Sequence, residues 1–412
     1  MKNFLKISCL LLLIAELLLL EKLRIETPTP TASRIKNPEP TAQAYQPTET
    51  ANPNLVSYTP GPAVTAAPAA AAPEATPAPT PAAPQEYVIS FVGDCTLWSN
   101  ENYERHPAGF AGVVGEDYAY PFSNTLKFFA NDELTIANCE CTLSDNSSMP
   151  YDYTWSTFRF KAPSSYAEIF NEGGVDFVTT ANNHMMDFYQ AGADDTYASL
   201  EAHGVPYGRE GQAQIVTTPH GLNIGIYCSG TDMAPNRDKA VNAVREMAAN
   251  GADYIICAFH WGQELYYSPN KAQIDLAHAC IDAGANFIYG SHSHCLQPIE
   301  LYNGAVILYS CGNWVFGGNT TPSDPDTAIF QLRLARGEDG KLAAVGMDII
   351  PCCVSSDIEG ANTKAQNYNN YCPTPYETDS EEYMRVMSKL YGEYQPASQG
   401  ADYSDYYASR AG

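Results

Sequence analysis

Residues 286–294 read Asn286-Phe287-Ile288-Tyr289-Gly290-Ser291-His292-Ser293-His294, an apolar run followed at once by two histidines. Aromatic and β-branched residues in a short apolar run favour a buried strand, which we expect to end near Gly290. Histidines at positions i and i+2 of a strand end project to the same side, so His292 and His294 are expected to reach a common point. Because neutral imidazole is a common metal ligand, this pair predicts part of a metal site.

Apolar runs that lead to polar side chains recur along the chain. The runs at residues 88–92, 133–137, 175–180 and 254–259 precede the candidates Asp94, Glu140, Asn183 with His184, and His260. Helical patterns at residues 195–202, 238–249 and 271–283 separate several of these runs. The alternation predicts an α/β layered fold with largely buried sheets. In such folds ligands gather at the carboxyl ends of strands, so these side chains are expected to form one site.

The chemistry of the candidates suits one or two divalent cations. The candidate ligands are Asp94, Glu140, Asn183, His260, His292 and His294. A mixed set of oxygen and nitrogen ligands favours Mn, Fe or Zn over Ca or Mg. A carboxylate between two such ions can bridge them, and the ion pair binds and acidifies a water, which makes a nucleophile at neutral pH. His184 is the candidate catalytic residue, since it lies beside Asn183 and could protonate a leaving group or bind an oxyanion.

The 412-residue chain divides into four segments by composition. Residues 1–26, with Lys2 and Lys6 ahead of an apolar run, are typical of a signal peptide or signal anchor. Residues 27–84 form a linker rich in Pro, Ala and Thr, and residues 85–376 form the globular domain. Residues 377–412 form an acidic, Tyr-rich tail with one short helix-like stretch, Glu381 to Tyr394, and this tail is expected to be peripheral or disordered. This order predicts a single-pass protein of the cell membrane with its domain outside the cell, or a secreted protein if the first segment is cleaved.

Charge and cysteine content restrict the partners and the environment. The chain has 22 basic and 47 acidic residues, a formal net charge of -25, which repels nucleic acid and anionic lipid. We therefore expect no nucleic-acid partner. Twelve cysteines in an extracellular protein would ordinarily indicate disulfides, but Cys257 and Cys311 lie in or near apolar runs where cysteine acts as a small core residue. The pairing, if any, stays open.

Six motifs carry a family resemblance. In chain order they are Gly93-Asp94, Asn138-Cys139-Glu140, Asn182-Asn183-His184-Met185-Met186-Asp187, His260-Trp261-Gly262-Gln263-Glu264, Gly290-Ser291-His292-Ser293-His294-Cys295-Leu296-Gln297-Pro298-Ile299-Glu300 and Tyr309-Ser310-Cys311-Gly312-Asn313-Trp314-Val315-Phe316. Together they resemble the bacterial capsule-synthesis CapA family, which is associated with poly-γ-glutamate production. That family is similar in turn to the calcineurin-like metallophosphoesterases, so the resemblance implies a four-layer α/β/β/α sandwich with a dinuclear metal site.

The resemblance also implies a role for each candidate. It places Asp94 and His294 on a first metal, Asn183, His260 and His292 on a second metal, Glu140 in the position of the bridging carboxylate, and His184 as the catalytic histidine. Two positions depart from the phosphoesterase pattern. Thr96 stands where the first motif, Asp-x-His, has its histidine, and Glu140 replaces an aspartate. The first metal site therefore lacks one ligand of that pattern.

The leading hypothesis is a membrane-anchored, extracellular, metal-dependent hydrolase-like protein of capsule or poly-γ-glutamate assembly, attacking a phosphoester or amide of an anionic polymer or cell-envelope substrate. The alternative is a non-catalytic surface component of a membrane synthase complex that binds or anchors the polymer. An amidase acting on carbohydrate or peptidoglycan is a weaker third hypothesis. A phosphoesterase needs basic groups near the metals, and Arg159 and Lys161 are the nearest candidates by pattern.

Overall fold

The structure is a computed structural model that describes residues 85–150, 158–231, 233–394 and 396. The predicted anchor, residues 1–26, and the predicted linker, residues 27–84, lie outside these ranges. Within the described ranges, no helix combines the length and the apolar character needed to cross a bilayer.

The described part of the chain alternates strands and helices. The strands are β1 (Glu86–Thr96), β2 (Leu134–Cys139), β3 (Thr142–Leu143), β4 (Lys161–Ala162), β5 (Phe177–Thr179), β6 (Tyr207–Gly208), β7 (Ala213–Thr217), β8 (Asn223–Ser229), β9 (Tyr254–His260), β10 (Phe287–Ser291), β11 (Ile299–Tyr302), β12 (Ala305–Leu308), β13 (Asn313–Phe316), β14 (Asp326–Arg336), β15 (Leu342–Cys353) and β16 (Thr374–Pro375). The α-helices are α1 (Phe110–Val113), α2 (Glu168–Glu172), α3 (Tyr189–Ala202), α4 (Arg237–Ala249), α5 (Lys271–Asp282), α6 (Ile358–Thr363) and α7 (Glu381–Leu390). Short 3-10 segments lie at Tyr120–Phe122, Leu126–Phe128, Ser164–Ala167 and Asn183–Met186.

Two large sheets carry the candidate residues. The first has the order β16-β15-β14-β1-β2-β5-β6, with β13 also paired to β1, and the second has the order β11-β12-β10-β9-β8-β7. In both sheets the central strands are parallel: β1, β2, β5 and β6 in the first, and β8, β9, β10 and β12 in the second. Parallel strands end at a common edge, so the side chains that follow them are brought together.

Buried apolar side chains form three layers of core. One layer lies between the sheets, where Phe91 and Ile136 of the first sheet meet Ile256 and Phe287 of the second. A second layer lies between the first sheet and helices that include α1, α2 and α3, and a third lies between the second sheet and helices α4 and α5. This arrangement is a four-layer α/β/β/α sandwich, which confirms the predicted fold class.

A close approach of two backbone segments fixes the end of β1. The amide of Asp94 donates a hydrogen bond to the carbonyl oxygen of Gly312 at 2.9 Å. A β-carbon at Gly93 would lie 2.0 Å from the same oxygen, so only glycine fits this position. The amide of Glu140 donates to the carbonyl oxygen of Cys95 at 2.9 Å. These contacts hold Asp94 and Glu140 side by side at the edge of the first sheet.

The cysteines of the described ranges are core residues. All eleven are buried and none takes part in a disulfide there. Burial raises the pKa of several thiols, Cys311 among them, because the thiolate is poorly solvated in an apolar surrounding. The interpretation of Cys257 and Cys311 as small core residues agrees with their full burial.

The segment after residue 376 contributes a helix to the domain instead of a peripheral tail. Helix α7 begins after Ser380, whose side chain accepts a hydrogen bond from the Tyr383 amide. Its Val386 and Leu390 pack into the core layer that is formed by side chains of both sheets. The domain therefore extends beyond the predicted boundary at residue 376. The helix-like stretch predicted at residues 381–394 corresponds to α7, but its packing into the core was not predicted.

Helix α7 is also held by a cluster of buried charges. Arg385 donates from Nε and Nη2 to the two carboxylate oxygens of Asp326, both at 2.7 Å. Lys389 Nζ donates to Asp324 Oδ1 and Asp326 Oδ2, each at 2.7 Å, and its side chain is 2% exposed. Buried charges require such pairing, so this cluster links α7 to the start of β14.

Acid is expected to weaken this cluster at a defined pH. Burial alone would raise the pKa of Asp326, but Lys389 and Arg385 lower it from 3.8 to about 2. Because the folded-state pKa lies below the unfolded value, the stabilisation is complete above about pH 5 and is lost as the pH falls through about 2. The free energy of unfolding of the full chain should exceed that of an Asp326→Asn variant by a constant amount between about pH 7 and pH 5, and this difference should shrink by on the order of 2 kcal/mol toward about pH 2. A difference that stays constant across the whole range would contradict the assignment.

Candidate metal centre

Two groups of side chains share the carboxylate of Glu140. The ligand atoms of Glu140, His260 and His292 all lie within 4.8 Å of one another, and so do those of Asp94, Glu140 and His294. The residues belong to the ends of β1, β2, β9 and β10, so both sheets contribute. The structure thus brings five of the six predicted ligands to one edge of the sandwich.

Asn183, the sixth predicted ligand, lies beside this pair of groups. Its Oδ1 is 2.7 Å from Nε2 of His260, and that nitrogen is 3.3 Å from Oε1 of Glu140. Asn183 starts the 3-10 segment that follows β5, next in the first sheet after β2. The amide oxygen therefore faces the group formed by Glu140, His260 and His292.

The two histidines of the opening motif reach the centre by a different geometry from the one predicted. Both follow β10, and both have left-handed backbones, with φ of 93° at His292 and 52° at His294. Their ring centroids are 6.1 Å apart, and the His292 ring lies 4.7 Å from that of His260. The direction of these two side chains is set by the strained turn after β10 and not by the alternation of residues along the strand. Such backbone strain is characteristic of functional sites.

Buried polar side chains orient the candidate ligands. Asn138 Nδ2 donates to Asp94 Oδ1 at 2.8 Å, Nδ1 of His260 lies 2.9 Å from Ser291 Oγ, and Nδ1 of His294 lies 2.8 Å from Asn313 Oδ1. Contacts of this kind fix the ring orientation of histidines that bind metals. Asn138, Ser291 and Asn313 were not assigned roles from the sequence, although Asn138 and Asn313 stand in its motifs two positions before Glu140 and two after Cys311.

The protonation states of His260 and His292 suit a divalent cation. Burial lowers the pKa of His260 to about 3, against the attraction of Asp94, and burial also lowers the pKa of His292 well below its usual range. These imidazoles are therefore neutral and able to bind a cation. Burial, and then repulsion by Glu140, raises the pKa of Asp94 to about 6. A cation between these two carboxylates would relieve that repulsion.

The surroundings of the Glu140 carboxylate suit a metal ion. Both of its oxygens are buried, and within the described ranges Oε1 accepts no hydrogen bond of good geometry. A buried carboxylate oxygen without a donor is costly unless a cation compensates it. Thr96, which replaces a histidine of the phosphoesterase pattern, lies with Oγ1 3.4 Å from Oε2 of Glu140. Thr96 therefore contacts the candidate ligand Glu140 and is not itself placed among the ligands.

His184 lies next to the centre in a buried dyad. Its Nδ1 is 2.9 Å from Oδ2 of Asp187, and this same oxygen accepts a hydrogen bond from the Phe160 amide at 3.0 Å. Burial lowers the pKa of His184, but Asp187, with smaller contributions from Glu140 and Glu264, raises it overall to about 9. The ring therefore carries a proton at neutral pH, with Nδ1 directed at the carboxylate. Asp187 was not identified from the sequence, although a histidine followed three residues later by an aspartate is a recognisable signal.

Glu264 adds a further negative charge to the centre. Burial lowers the pKa of His294, but Glu140 and Asp94 raise it overall, and Glu264 makes a smaller contribution in the same direction, as it does at His184. The amide of the next residue, Leu265, donates to the carbonyl oxygen of Ser293 at 2.7 Å, which places this loop against the segment between the two histidines. Glu264 stands in the motif that begins at His260, but the sequence alone predicted no role for it.

The two basic residues predicted near the metals separate in space. Arg159 pairs with Glu101 and lies one residue from Phe160, whose ring meets the His184 ring edge-on at 4.7 Å. Lys161 turns to the carbonyl oxygen of Asn146, at 2.9 Å from Nζ. Arg159 is close enough to the dyad to oppose the effect of burial, which raises the pKa of Asp187.

The fold and the centre place the chain among α/β/β/α sandwich proteins with a candidate dinuclear metal site at the strand ends. Comparison with known families makes the assignment specific. The model of the bacterial capsule synthesis protein family PGA_cap matches residues 88–318, more than half of the chain, and the chain belongs to this family. The resemblance predicted from the six motifs is confirmed.

Relatives with curated descriptions agree with this family. The chain is 33% identical over 192 residues to the PGA biosynthesis protein CapA of Bacillus subtilis, a match that covers 42% of this chain and 50% of that protein. It is 25% identical over 288 residues to the capsule biosynthesis protein CapA of Bacillus anthracis, covering 64% and 68% of the two chains. It is also 29% identical over 165 residues to a probable polyglutamine synthesis accessory protein of Mycobacterium tuberculosis, covering 33% and 43%. The matched region thus spans only half of the Bacillus subtilis relative.

Solved structures show a weaker likeness. A hypothetical protein from Thermus thermophilus superposes with a TM-score of 0.39 at 17% identity, over 64% of this chain and 98% of that one. The NAD nucleotidase of Haemophilus influenzae superposes with a TM-score of 0.38 at 12% identity, over 79% of this chain and 66% of that one.

Proposed function

We propose that this chain is a membrane-anchored, extracellular, metal-dependent hydrolase of capsule or poly-γ-glutamate synthesis, acting on a phosphoester or amide bond of an anionic polymer or cell-envelope substrate. The observation that carries the proposal is the sharing of Glu140 by two groups of buried ligands with a protonated histidine dyad beside them. The family match supports the biological setting. The anchor rests on the sequence of residues 1–26 alone.

The residues divide between two cations, of Mn, Fe or Zn. Asp94, Glu140 and His294 would hold the first, and Glu140, Asn183, His260 and His292 would hold the second. When bound, such cations polarise a phosphoryl or carbonyl oxygen and acidify a coordinated water. Asn138, Ser291 and Asn313 keep the ligand side chains in place for this role.

His184 supplies the proton that the leaving group needs. Asp187 holds its Nδ1, which leaves Nε2 as the nitrogen that can donate to a substrate. The T-shaped contact of the Phe160 ring with the His184 ring and the burial of Asp187 keep water away from this dyad. A general acid at this place would serve cleavage of either a phosphoester or an amide.

The test is metal analysis of the full chain together with hydrolysis assays on a generic phosphodiester and on γ-glutamyl peptides, with Mn, Fe or Zn added. One or two ions per chain and turnover of either substrate would support the proposal. Bound metal without turnover would favour the alternative, a surface component of a synthase complex that binds or anchors the polymer. Absence of bound metal would contradict both the hydrolase and its metal centre.

Replacing the dyad histidine should separate chemistry from metal binding. A His184→Gln variant is expected to lower kcat by about 10²- to 10⁴-fold, because a positioned general acid contributes about that much, while its metal content stays the same. His203→Gln is the matched control, since His203 lies at the end of α3 with Nδ1 2.8 Å from the carbonyl oxygen of Ser199. Equal activity of the two variants would exclude His184 from the reaction.

A further inference from the structure

Arg159 and Glu101 form an ion pair in which one side chain is far more exposed than the other, and this difference bears on substrate selection. The Arg159 side chain is 11% exposed, whereas that of Glu101 is 56% exposed. Burying a guanidinium requires partners, and Glu101, one partner of Arg159, lies at the surface and loses little by returning to water. Glu101 is therefore an anion beside Arg159 that can leave.

The position of this ion pair is at the rim of the candidate centre. Arg159 precedes Phe160, which contacts His184 by its ring and Asp187 by its amide. Burial raises the pKa of Asp187, and Arg159 is close enough to oppose this effect along with His184. The guanidinium thus lies within electrostatic reach of the dyad.

Glu101 belongs to a loop that borders the other side of the centre. The neighbouring Asn100 donates from Nδ2 to the carbonyl oxygen of Gly318 at 3.1 Å. A β-carbon at Gly318 would lie 2.7 Å from the Phe316 ring and 3.1 Å from the Phe160 ring, so both rings pack against this glycine. Phe316 in turn lies 4.9 Å from the His294 ring, centroid to centroid. The loop, the two rings and the two histidines form one continuous rim.

Charge at the centre explains why a cation is needed there. Four carboxylates, those of Asp94, Glu140, Asp187 and Glu264, lie at or act on the centre. An anionic substrate would be repelled unless cations offset them. Of the two basic residues predicted from the sequence, Arg159 acts on Asp187 of the dyad, whereas Lys161 donates to the carbonyl oxygen of Asn146. Its planar fork matches the two oxygens of a carboxylate or phosphate.

We propose that Arg159 is a specificity-determining residue that binds a carboxylate or phosphate group of the substrate next to the reacting bond, and that Glu101 occupies this anion position until the substrate displaces it. This inference rests on the proposed function for the identity of the reaction. It adds the residue that recognises an anionic group adjacent to the bond that is cleaved.

The test measures binding of two probes, inorganic phosphate and γ-glutamylglutamate, to the full chain by calorimetry. Glu101→Gln should tighten the Kd of the recognised probe about fivefold, since a competing surface ion pair is lost. Arg159→Lys should weaken the Kd about tenfold or more, because an ammonium cannot replace the fork. The probe that responds identifies the group as phosphate or carboxylate. Thermal unfolding of each variant checks that it is folded.

A matched control lies in the same loop. Glu104 accepts a hydrogen bond from Trp98 Nε1 at 3.2 Å, and Glu104→Gln should leave both Kd values unchanged. Equal effects of Glu101→Gln and Glu104→Gln, or no response of either probe to both the Glu101 and Arg159 variants, would overturn the inference. Hydrolysis is measured separately. If the wild-type chain cleaves no substrate yet Glu101→Gln still tightens probe binding, the proposed function fails and the anion position stands.

Discussion

A Glu140→Gln variant of the full chain is expected to bind neither divalent cation. Glu140 belongs to both groups of candidate ligands, so the loss of its charge removes a ligand from each. Substituting a residue that only hydrogen-bonds to a metal ligand lowers the metal affinity about 10- to 100-fold. Substituting a ligand that both cations share should lower the metal affinity by more than about 100-fold. Elemental analysis after dialysis against Mn or Zn measures the effect directly, and hydrolysis, where present, should disappear with the metal.

The same variant distinguishes a metal ligand from a structural carboxylate. Burial and the charge of Glu140 together raise the pKa of Asp94, so the metal-free protein holds two carboxylates that repel each other. Glu140→Gln should therefore leave the melting temperature of the metal-free chain unchanged or raise it. Glu133→Gln is the matched control at the opposite end of β2, where Glu133 accepts a hydrogen bond from Thr218 at 2.7 Å. Metal retained by the Glu140 variant, or lost equally from both, would refute the centre.

Lys389→Met should destabilise the domain by about 3–5 kcal/mol, the cost of leaving buried charges without their partner. Lys389 is 2% exposed and is the only described cation that contacts both Asp324 and Asp326. Arg385 satisfies Asp326 but no described contact joins it to Asp324. Denaturant unfolding of the full chain at neutral pH gives the free energy, and metal content should not change.

Lys271→Met is the control for the same substitution at an exposed position. Lys271 pairs with Asp275 four residues later on α5, with 85% of its side chain exposed, and such pairs contribute little. We expect its free energy of unfolding to fall by less than about 0.5 kcal/mol. Similar losses from the two variants would show that the buried cluster does not hold helix α7.

The sequence pattern predicted an α/β layered fold and the meeting of the candidate ligands for one physical reason, whereas the four-layer sandwich was implied by the family resemblance. Parallel strands share an edge, so polar residues such as Asp94 and His260 that end apolar runs converge without further information. The run at residues 88–92 predicted the centre of β1, which extends from Glu86 to Thr96. Local pattern and topology were sufficient there.

Other features depend on contacts that no local pattern contains. The left-handed backbone of His292 is imposed by the turn it occupies, and its sequence of Ser and His does not specify that conformation. The role of Asn138 depends on the register of β1 with β2, which aligns it with Asp94. The packing of helix α7 into the domain was not predicted from its helical pattern, because its buried Lys389 pairs with residues more than sixty positions earlier.

Because its eleven cysteines are buried free thiols, the stability of the described domain should not depend on the redox potential of its surroundings. Without a disulfide among these cysteines, reduction has no bond to break there, and the raised pKa of residues such as Cys311 keeps thiolate scarce. The folded core should therefore tolerate a reducing and an oxidising environment alike. An alkylating reagent can reach these sulfurs only when the sandwich opens. The rate at which the thiols are alkylated therefore reports how often the domain opens.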